Sequence, residues 1–175
     1  MEELKTPLES DAMRSLNCGQ VVYITGKIFT ARDAAHREIL KTRKLPFKFK
    51  ESNVLFHAGP IMKKQNGKWK AISLGPTTSS RMDAYTPKLI HRLGIRAIIG
   101  KGGMDGETVK AMKGKCVYLA FTGGCAAVGA ASVKNVVGFH WPEMGMAEGV
   151  WELEVERFGP LIVAIDSKGR SLYKK

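Results

Sequence analysis

Apolar residues in this chain form short runs typical of buried strands, separated by segments with the spacing of amphipathic helices. Residues 20–29 predict a strand of Val, Tyr, Ile and Phe side chains, in which Gly26 is expected to form a bulge or turn. Asp33 follows Thr30 by three residues, which is the acidic form of a capping box. This pattern predicts a helix over residues 31–43.

The middle of the chain combines a tight turn with a helix whose two ends are marked. Residues 53–58 predict a short strand, and the Asn66-Gly67 pair predicts a hairpin over residues 62–69. The Thr86-Pro87 pair predicts the start of a second helix, and Gly94 predicts its end.

Two apolar segments are each followed by a loop rich in glycine. Residues 95–99 predict a strand buried on both faces, before a loop and a helix that Asp105 can cap. Residues 116–121 predict a further core strand. Two successive units of strand and glycine-rich loop leading to a helix predict an α/β domain. From residue 150 onward the pattern instead predicts antiparallel strands over residues 150–155 and 161–165, and a turn at residues 167–170 before a last short strand. We therefore expect a mixed sheet in one domain over residues 1–175.

The formal net charge of +12 is compatible with a nucleic acid, an acidic partner or an anionic substrate. Much of the excess lies in residues 41–50 and 63–70, a predicted helix end and a predicted hairpin. Both are exposed locations, so the charge alone does not choose between these partners. We find no apolar run near the ~20 residues that cross a bilayer and no secretory signal pattern, so we expect a cytoplasmic protein without a membrane partner.

The three cysteines, Cys18, Cys116 and Cys125, do not form a recognisable ligand pattern. Their number is odd and no pair has C-x-x-C spacing. We therefore expect reduced thiols, and neither a disulfide scaffold nor a self-contained zinc or iron–sulfur site.

The most informative segment is residues 75–83, Gly-Pro-Thr-Thr-Ser-Ser-Arg-Met-Asp. Four consecutive hydroxyls follow a turn and precede Arg81, and no acidic residue adjoins the hydroxyls in sequence. Hydroxyls beside a fixed guanidinium form a receptor for a carboxylate. The alternative is a solvated loop, which is the usual fate of Ser/Thr clusters.

A second cationic candidate lies at the predicted start of the first helix. Arg32 places a positive charge at the helix N-terminus, where the helix dipole attracts anions, so this position costs electrostatic energy. The cost is explained if the site binds a negatively charged ligand. The alternative is that Arg32 is a surface charge and His36 a partly buried histidine satisfied by the backbone.

The loop Gly100-Lys101-Gly102-Gly103 resembles the GXXG loop of a KH domain, which clamps a nucleic-acid backbone. The next helix should then offer a large apolar residue three positions after the last glycine. Gly106 occupies that position, and Asp105 before it would repel phosphate. The loop also lacks the patterns of a Walker A or Rossmann motif. An RNA-binding module stays open as an alternative of another class.

Together, the blocks of this chain resemble the C-terminal domain of class I fumarases, which in two-subunit enzymes is a separate β chain; tartrate dehydratase β chains share the signature. The resemblance covers about residues 26–173, and several separated blocks occur in the family's order. The blocks are Ala31-Arg32-Asp33-Ala34-Ala35-His36, Gly75-Pro76-Thr77-Thr78, Gly100-Lys101-Gly102, Gly123-Gly124 before Ala126-Ala127, and residues 143–148 with Trp151.

The resemblance implies a swivelling β/β/α layered domain that works as half of a hydro-lyase. An oxygen-sensitive [4Fe–4S] cluster is then held by the partner α subunit and not by this chain, and the two chains form a hetero-oligomer active only when complete. The reaction implied is the reversible hydration of fumarate to L-malate. The alternative is dehydration of L-tartrate or another hydroxy-dicarboxylate.

The resemblance also implies roles for individual residues. Thr77 matches the proposed catalytic base. The residues that match the family's substrate contacts are Arg32, Thr78, Arg81 and Lys101, and the expected supporting residues are His36, Asp83, Gly123 and Gly124.

The chain departs from the family pattern at several flanking positions. Ser79-Ser80 replaces a common Ala-Gly pair, and Cys125 and Ala147 stand where proline is common. The additional hydroxyls weaken the choice of fumarate over tartrate, since they can hydrogen-bond a more oxygenated substrate.

Overall fold

The structure is a computed structural model that describes residues 2–173, and it centres on a mixed sheet flanked by helices. The strands are β1 (Glu2–Lys5), β2 (Val21–Thr30), β3 (Val54–Phe56), β4 (Ile61–Gln65), β5 (Lys68–Ser73), β6 (Ala97–Gly100), β7 (Val117–Ala120), β8 (Val133–His140) and β9 (Val150–Ile165). The helices are α1 (Ser10–Ser15), α2 (Asp33–Lys41), α3 (Thr86–Leu93), α4 (Gly106–Met112) and α5 (Ala126–Ala131).

The main sheet has the order β1-β2-β3-β6-β7-β9-β8. Strands β1, β2, β3, β6 and β7 run parallel to their neighbours, whereas β9 is antiparallel to β7, β8 and β2. The additional β2–β9 pairing closes strands β2, β3, β6, β7 and β9 into a ring. This arrangement confirms the predicted α/β class with layers and a mixed sheet, including the antiparallel C-terminal end.

Alternate residues of the central strands contribute to two separate cores. In β6, Ile99 packs into one core and Ile98 into the other, and both are fully buried. The second core receives apolar side chains from the helices, including Ile39 of α2, Leu89 of α3 and Met112 of α4. The predicted burial of residues 95–99 on both faces is therefore confirmed, because helices cover one face and the rest of the closed sheet covers the other.

The predicted turns are confirmed where the sequence signal is local. The hairpin of β4 and β5 turns at Asn66 and Gly67, which both have positive φ, 50° and 75°. Helix α3 ends at Gly94 with φ 68°. The side chain of Asp105 caps α4 by accepting a hydrogen bond from Thr108 N at 2.7 Å. Gly26 lies at a shift in the β2–β9 register.

The predicted capping box at Thr30 is wrong. Thr30 is the last residue of β2, and its hydroxyl accepts a hydrogen bond from Trp151 N at 3.2 Å instead of capping the helix. Arg32 occupies the N-cap position, and α2 covers Asp33–Lys41, which is shorter than predicted. The hydroxyl of Thr30 is therefore used in a contact with β9, although the local sequence pattern predicted that it would cap the helix.

Other differences concern the C-terminal strands and the elements that the sequence pattern did not predict. The two strands predicted after residue 150 are one continuous strand, β9, and the strand predicted after the turn at residues 167–170 is reduced to a bridge between Ile165 and Ser171. The sequence pattern predicted none of four further elements, namely β1, α1, α5 and β8. Within residues 2–173, none of the helices combines the length and the apolar character needed to cross a bilayer.

Helix α5 supports the turn that leads into the hydroxyl cluster. Leu74 N donates a hydrogen bond to Ala126 O at 2.9 Å. A Cβ atom built on Gly129 would lie 2.2 Å from Leu74 O, so the helix approaches this backbone as closely as only glycine permits. Because Leu74 immediately precedes the Gly75-Pro76 turn, this packing fixes where the hydroxyl segment begins.

We expect Gly129→Ala to lower the free energy of unfolding by about 1–3 kcal/mol, because the new methyl group meets a carbonyl oxygen of the backbone. At an unconstrained helix position the same change is favourable by ~1 kcal/mol, so the sign is diagnostic. Urea unfolding measures it. The matched control is Gly123→Ala, since no heavy atom lies within 4 Å of a Cβ built there. A stability of Gly129→Ala equal to or above wild type would contradict the close approach.

Candidate functional site

The candidate site lies where four neighbouring parallel strands end. Arg32 follows β2, His57 follows β3, Lys101 follows β6, and the loop containing Gly123 and Gly124 follows β7. The carboxyl ends of parallel strands meet at one edge of a sheet, which is where α/β proteins bind ligands. The topology therefore gathers residues that are far apart in sequence.

The hydroxyl segment is inserted between two of these strand ends. Thr77 N donates to His57 O at 2.7 Å, Lys101 N donates to Thr77 O at 3.3 Å, and Ser79 N donates to Lys101 O at 3.0 Å. Thr78 and Lys101 form a parallel bridge. Thr77, Thr78 and Lys101 are thus brought together through their backbones, and the segment is not a solvated loop. The backbone of Lys101 is used to hold this segment, which does not support the KH-like alternative.

Arg81 contacts both the hydroxyl of Thr77 and a carboxylate. Its Nε donates to Asp33 Oδ1 at 3.3 Å, its second terminal nitrogen donates to Asp33 Oδ2, and NH1 donates to Thr77 Oγ1 at 3.4 Å. Partial burial acts to raise the pKa of Asp33, but the Arg81 hydrogen bond and nearby charges lower it overall. Asp33 therefore orients the guanidinium of Arg81 as a carboxylate.

Arg32 is also paired with an acidic residue of the chain itself. Its Nε lies 3.4 Å from Glu148 Oε1, and Glu148 Oε2 accepts a hydrogen bond from Ala34 N at 3.0 Å. A Cβ atom built on Gly59 would lie 2.7 Å from Arg32 Cδ, so Gly59 provides the space that the arginine occupies. Within residues 2–173, Lys101 is exposed and forms no ion pair.

Two expectations about charge need correction. Asp33 lies beside the hydroxyl segment in space, although no acidic residue adjoins the hydroxyls in sequence. The anion expected at the start of α2 is supplied by Glu148, whose carboxylate reaches the helix N-terminus from across the chain. An internal carboxylate thus lies within ion-pair distance of Arg32, although Arg32 Nε is buried without a hydrogen-bond partner, and two of the three candidate cations are neutralised in part.

A chain of buried hydrogen bonds underlies the hydroxyl segment. His36 Nδ1 lies 2.7 Å from Arg32 O, and His36 Nε2 lies 3.2 Å from His57 Nε2. His57 Nδ1 lies 2.9 Å from Ser79 Oγ, which accepts from the hydroxyl of Tyr118 at 3.0 Å. His36, His57, Ser79 and Tyr118 are fully buried. The expected supporting residue His36 therefore does not face a ligand but joins a network beneath the site.

Burial keeps both histidines neutral near pH 7. It lowers the pKa of His36 to about 4, although the hydrogen bond to Arg32 O acts in the opposite direction. Burial, and then the neighbouring His36, lower the pKa of His57 well below its usual value. Two positive charges at this separation inside the protein would be strongly unfavourable.

Of the remaining supporting residues, Asp83 has a structural contact. Its carboxylate accepts hydrogen bonds from Asp105 N at 3.1 Å and from the Thr108 hydroxyl at 2.9 Å, and burial raises its pKa. Asp83 thereby ties the end of the hydroxyl segment to the start of α4. The loop with Gly123 and Gly124 is exposed, and no heavy atom lies within 4 Å of a Cβ built at either glycine.

Ser79 is not available to a substrate, which corrects the expectation that both added hydroxyls can contact one. Its side chain is fully buried, and its oxygen is bonded to His57 and Tyr118. Ser80 is exposed. The sequence argument for a more oxygenated substrate therefore rests on Ser80 alone.

The sequence pattern predicted no role for His57, Tyr118 or Glu148, and it did not predict the pairing of Asp33 with Arg81. His57 had a usable signal, because it lies near the end of the strand predicted over residues 53–58, and Lys101 lies just after the strand predicted over residues 95–99. Glu148 had none, since it lies 114 residues from the helix N-terminus that it contacts.

The residues that the structure describes do not fit an iron–sulfur cluster. Between residues 2 and 173, no group of three or more His, Cys, Asp or Glu side chains is arranged to hold a metal ion. Cys116 is fully buried, and burial raises the pKa of its thiol, whereas a metal ligand must be a thiolate.

A cavity of about 460 Å³ lies between β5, α5 and β8. Its lining includes Trp69, Ile72, Ala130, Val133 and Val136, and none of the candidate substrate contacts. We place the candidate site at the strand ends instead, because the paired cations and the hydroxyls lie there.

We expect the free energy of unfolding to fall as the pH drops from 7 to 5. The unfolded chain protonates both histidines below about pH 6.5, whereas His36 in the folded chain stays neutral down to about pH 4. This stabilisation is complete above pH 6.5 and is lost as the pH falls, by roughly 2 kcal/mol for His36. Urea unfolding at both pH values measures the loss.

The His36→Gln variant should show a smaller loss of stability between pH 7 and pH 5 than wild type. His91→Gln is the matched control, since His91 is exposed, and should lose as much as wild type. Equal losses in wild type and His36→Gln would show that His36 is not held neutral.

Comparison with known proteins identifies the family of this chain. The family model described as "Fumarase C-terminus" matches residues 2–175. A putative L(+)-tartrate dehydratase subunit beta of Methanocaldococcus jannaschii is 49% identical over 181 residues, which cover 100% of this chain and 92% of that protein. The L(+)-tartrate dehydratase subunit beta of Escherichia coli K12 is 38% identical over 171 residues, covering 97% and 85% respectively.

Another relative is longer than this chain and is matched over part of its length. The putative fumarate hydratase class I of Geobacillus stearothermophilus is 38% identical over 173 residues, which cover 98% of this chain but 33% of that protein. The match over residues 2–175 and these identities show that the chain belongs to the fumarase C-terminus family, alongside tartrate dehydratase β subunits and class I fumarate hydratases.

Proposed function

We propose that this chain is the β subunit of a class I fumarate hydratase, which catalyses the reversible hydration of fumarate to L-malate together with an α subunit. One observation carries the proposal: Arg81 is fixed by Asp33 and directs its remaining terminal nitrogen to the hydroxyl of Thr77. A hydroxyl and a guanidinium in contact at the strand ends supply a proton-transfer group beside a carboxylate-binding group.

The substrate is a dianion, and the site offers donors of matching charge. Arg81 and Arg32 are each paired with an internal carboxylate, which orients them and limits how strongly they bind the ground state. Lys101 adds an exposed positive charge next to the backbone of Thr77 and Thr78. Three cations, two of them held by carboxylates, suit two substrate carboxylates.

Thr77 acts as the base in the dehydration direction. Removing a proton from C3 of malate places additional negative charge on the adjacent carboxylate, and cations aimed at that charge stabilise the transition state more than the ground state. The hydrogen bond from Arg81 to Thr77 Oγ1 favours the deprotonated hydroxyl, since a donor stabilises the anion.

The iron–sulfur cluster in this proposal belongs to the α subunit. By the family resemblance, it supplies a Lewis acid for the hydroxyl group that leaves malate. The residues of this chain bind and orient the carboxylates and move the C3 proton. The isolated chain should therefore have no hydratase activity.

L-tartrate is the second candidate substrate. The observation that favours it is that two relatives, 49% and 38% identical, are named as β subunits of L(+)-tartrate dehydratase. Comparing kcat/KM of the complete enzyme on L-malate and on L-tartrate distinguishes the two. The site residues of this chain have the same roles in either case, because both substrates carry two carboxylates and a hydroxyl.

We expect Arg81→Ala in the complete enzyme to lower kcat/KM by more than about 100-fold, equivalent to ~3 kcal/mol of transition-state stabilisation. Steady-state kinetics with L-malate measures the change. Arg37→Ala is the matched control: Arg37 is exposed on α2, and its loss should change kcat/KM less than about twofold. A near wild-type kcat/KM for Arg81→Ala counts against the proposed function.

We expect Thr77→Val to lower kcat by at least about 100-fold while KM changes little, because the shape is retained and the proton acceptor is lost. Thr77→Ser keeps the hydroxyl and should retain most of kcat. If Thr77→Val and Thr77→Ser are equally active, the base is another group.

A further inference from the structure

The hydrogen-bond chain beneath the site has a single direction. His36 Nδ1 faces the carbonyl of Arg32, which only accepts, so this nitrogen must carry the proton. In a neutral imidazole the other nitrogen is then an acceptor, so His57 must donate through Nε2. His57 Nδ1 is therefore an acceptor for Ser79, and the hydroxyl of Ser79 in turn accepts from Tyr118. Each link follows from the one before it.

Both ends of this chain support the contact between Thr77 and Arg81. The Arg32 end fixes the start of α2, where Asp33 holds the guanidinium of Arg81. The other end fixes Ser79, two residues after Thr77. In addition, the backbone carbonyl of His57 accepts a hydrogen bond from Thr77 N. The chain therefore joins the element that holds the guanidinium to the segment that holds the hydroxyl.

Gly100 provides the room for this arrangement. A Cβ atom built on Gly100 would lie 1.9 Å from Ser79 Oγ and 3.0 Å from the hydroxyl of Tyr118. Since the φ of Gly100 is not positive, its backbone conformation is open to other residues, and the close approach of Ser79 is what requires glycine here.

We propose that Tyr118, Ser79, His57 and His36 are positioning residues, whose directed hydrogen-bond chain sets the orientation of Thr77 relative to Arg81. This proposal rests on the function proposed above. None of the four side chains is exposed, so they act through Thr77 and Arg81 and not on the substrate itself. Deleting one hydroxyl leaves a buried acceptor unpaired and removes the contact that holds the hydroxyl segment against His57.

The kinetic test uses the complete enzyme with Ser79→Ala. We expect kcat on the preferred substrate to fall about 10- to 100-fold, because a misplacement near 1 Å costs a factor of this order, while KM stays within about threefold. Ser15→Ala is the kinetic control: it removes an exposed hydroxyl on α1, outside the candidate site, and should change kcat less than about twofold. Tyr118→Phe keeps the ring, removes only the first donor, and replaces Ser79→Ala if that variant does not fold.

A second readout does not depend on activity. In the ¹⁵N spectrum of the full chain labelled at histidine, His36 should show the Nδ1–H tautomer and His57 the Nε2–H tautomer. In Ser79→Ala the ¹⁵N signal of His57 Nδ1 should shift, because this nitrogen loses its hydrogen bond, while His36 still fixes the tautomer of His57. In Ser80→Ala this signal should not shift. An unchanged His57 Nδ1 signal in Ser79→Ala would show that Ser79 is not part of the chain.

The outcomes of these experiments distinguish a failure of the positioning role from a failure of the proposed function. A folded Ser79→Ala enzyme with wild-type kcat would overturn the positioning role, as would the opposite tautomers in wild type. A complete enzyme inactive on fumarate, malate and tartrate would overturn the proposed function and, with it, the role in positioning. In that case the tautomers still decide whether the directed chain itself exists.

Discussion

The site depends on the insertion of the hydroxyl segment between the ends of β3 and β6. Three backbone hydrogen bonds, from 2.7 to 3.3 Å, hold Thr77 and Ser79 between His57 and Lys101. Without this insertion Thr77 would lie on a free loop, and its contact with Arg81 would cost conformational entropy each time it formed. Because backbone hydrogen bonds instead hold the segment between the two strand ends, the hydroxyl and the guanidinium are placed before any ligand arrives.

The charges of the site are arranged in pairs. Asp33 and Glu148 hold Arg81 and Arg32, so the strand ends carry less net positive charge than the three cations alone suggest. Such pairing weakens binding of a resting dianion. It also fixes the donors in place, so little reorganisation is needed when charge develops in the transition state. The overall charge of +12 therefore says little about the site itself, since much of the excess lies on exposed segments elsewhere.

The sequence predicted those parts of the molecule that local signals determine. The turn at Asn66-Gly67, the helix end at Gly94 and the cap at Asp105 depend on neighbours a few residues away, and all three are confirmed. Helix α5 was missed because its Ala-Ala-Val-Gly-Ala-Ala sequence has no amphipathic pattern, and its position comes from packing on Leu74. The pairing of Arg81 with Asp33 spans 48 residues, and no local pattern encodes it.

The buried hydrogen-bond chain has a cost that packing alone would avoid. Two imidazoles and two hydroxyls are removed from water, and apolar side chains of similar volume at these positions could be equally stabilising or more so. What apolar side chains cannot supply is direction: a carbonyl at one end selects the tautomer of His36, then that of His57, and then the orientation of Ser79. A directed chain permits one arrangement where apolar packing permits several. A proton-transfer group that must meet a substrate carbon within a few tenths of an ångström benefits from that restriction, which is a physical reason for a folded domain to retain polar groups in its core.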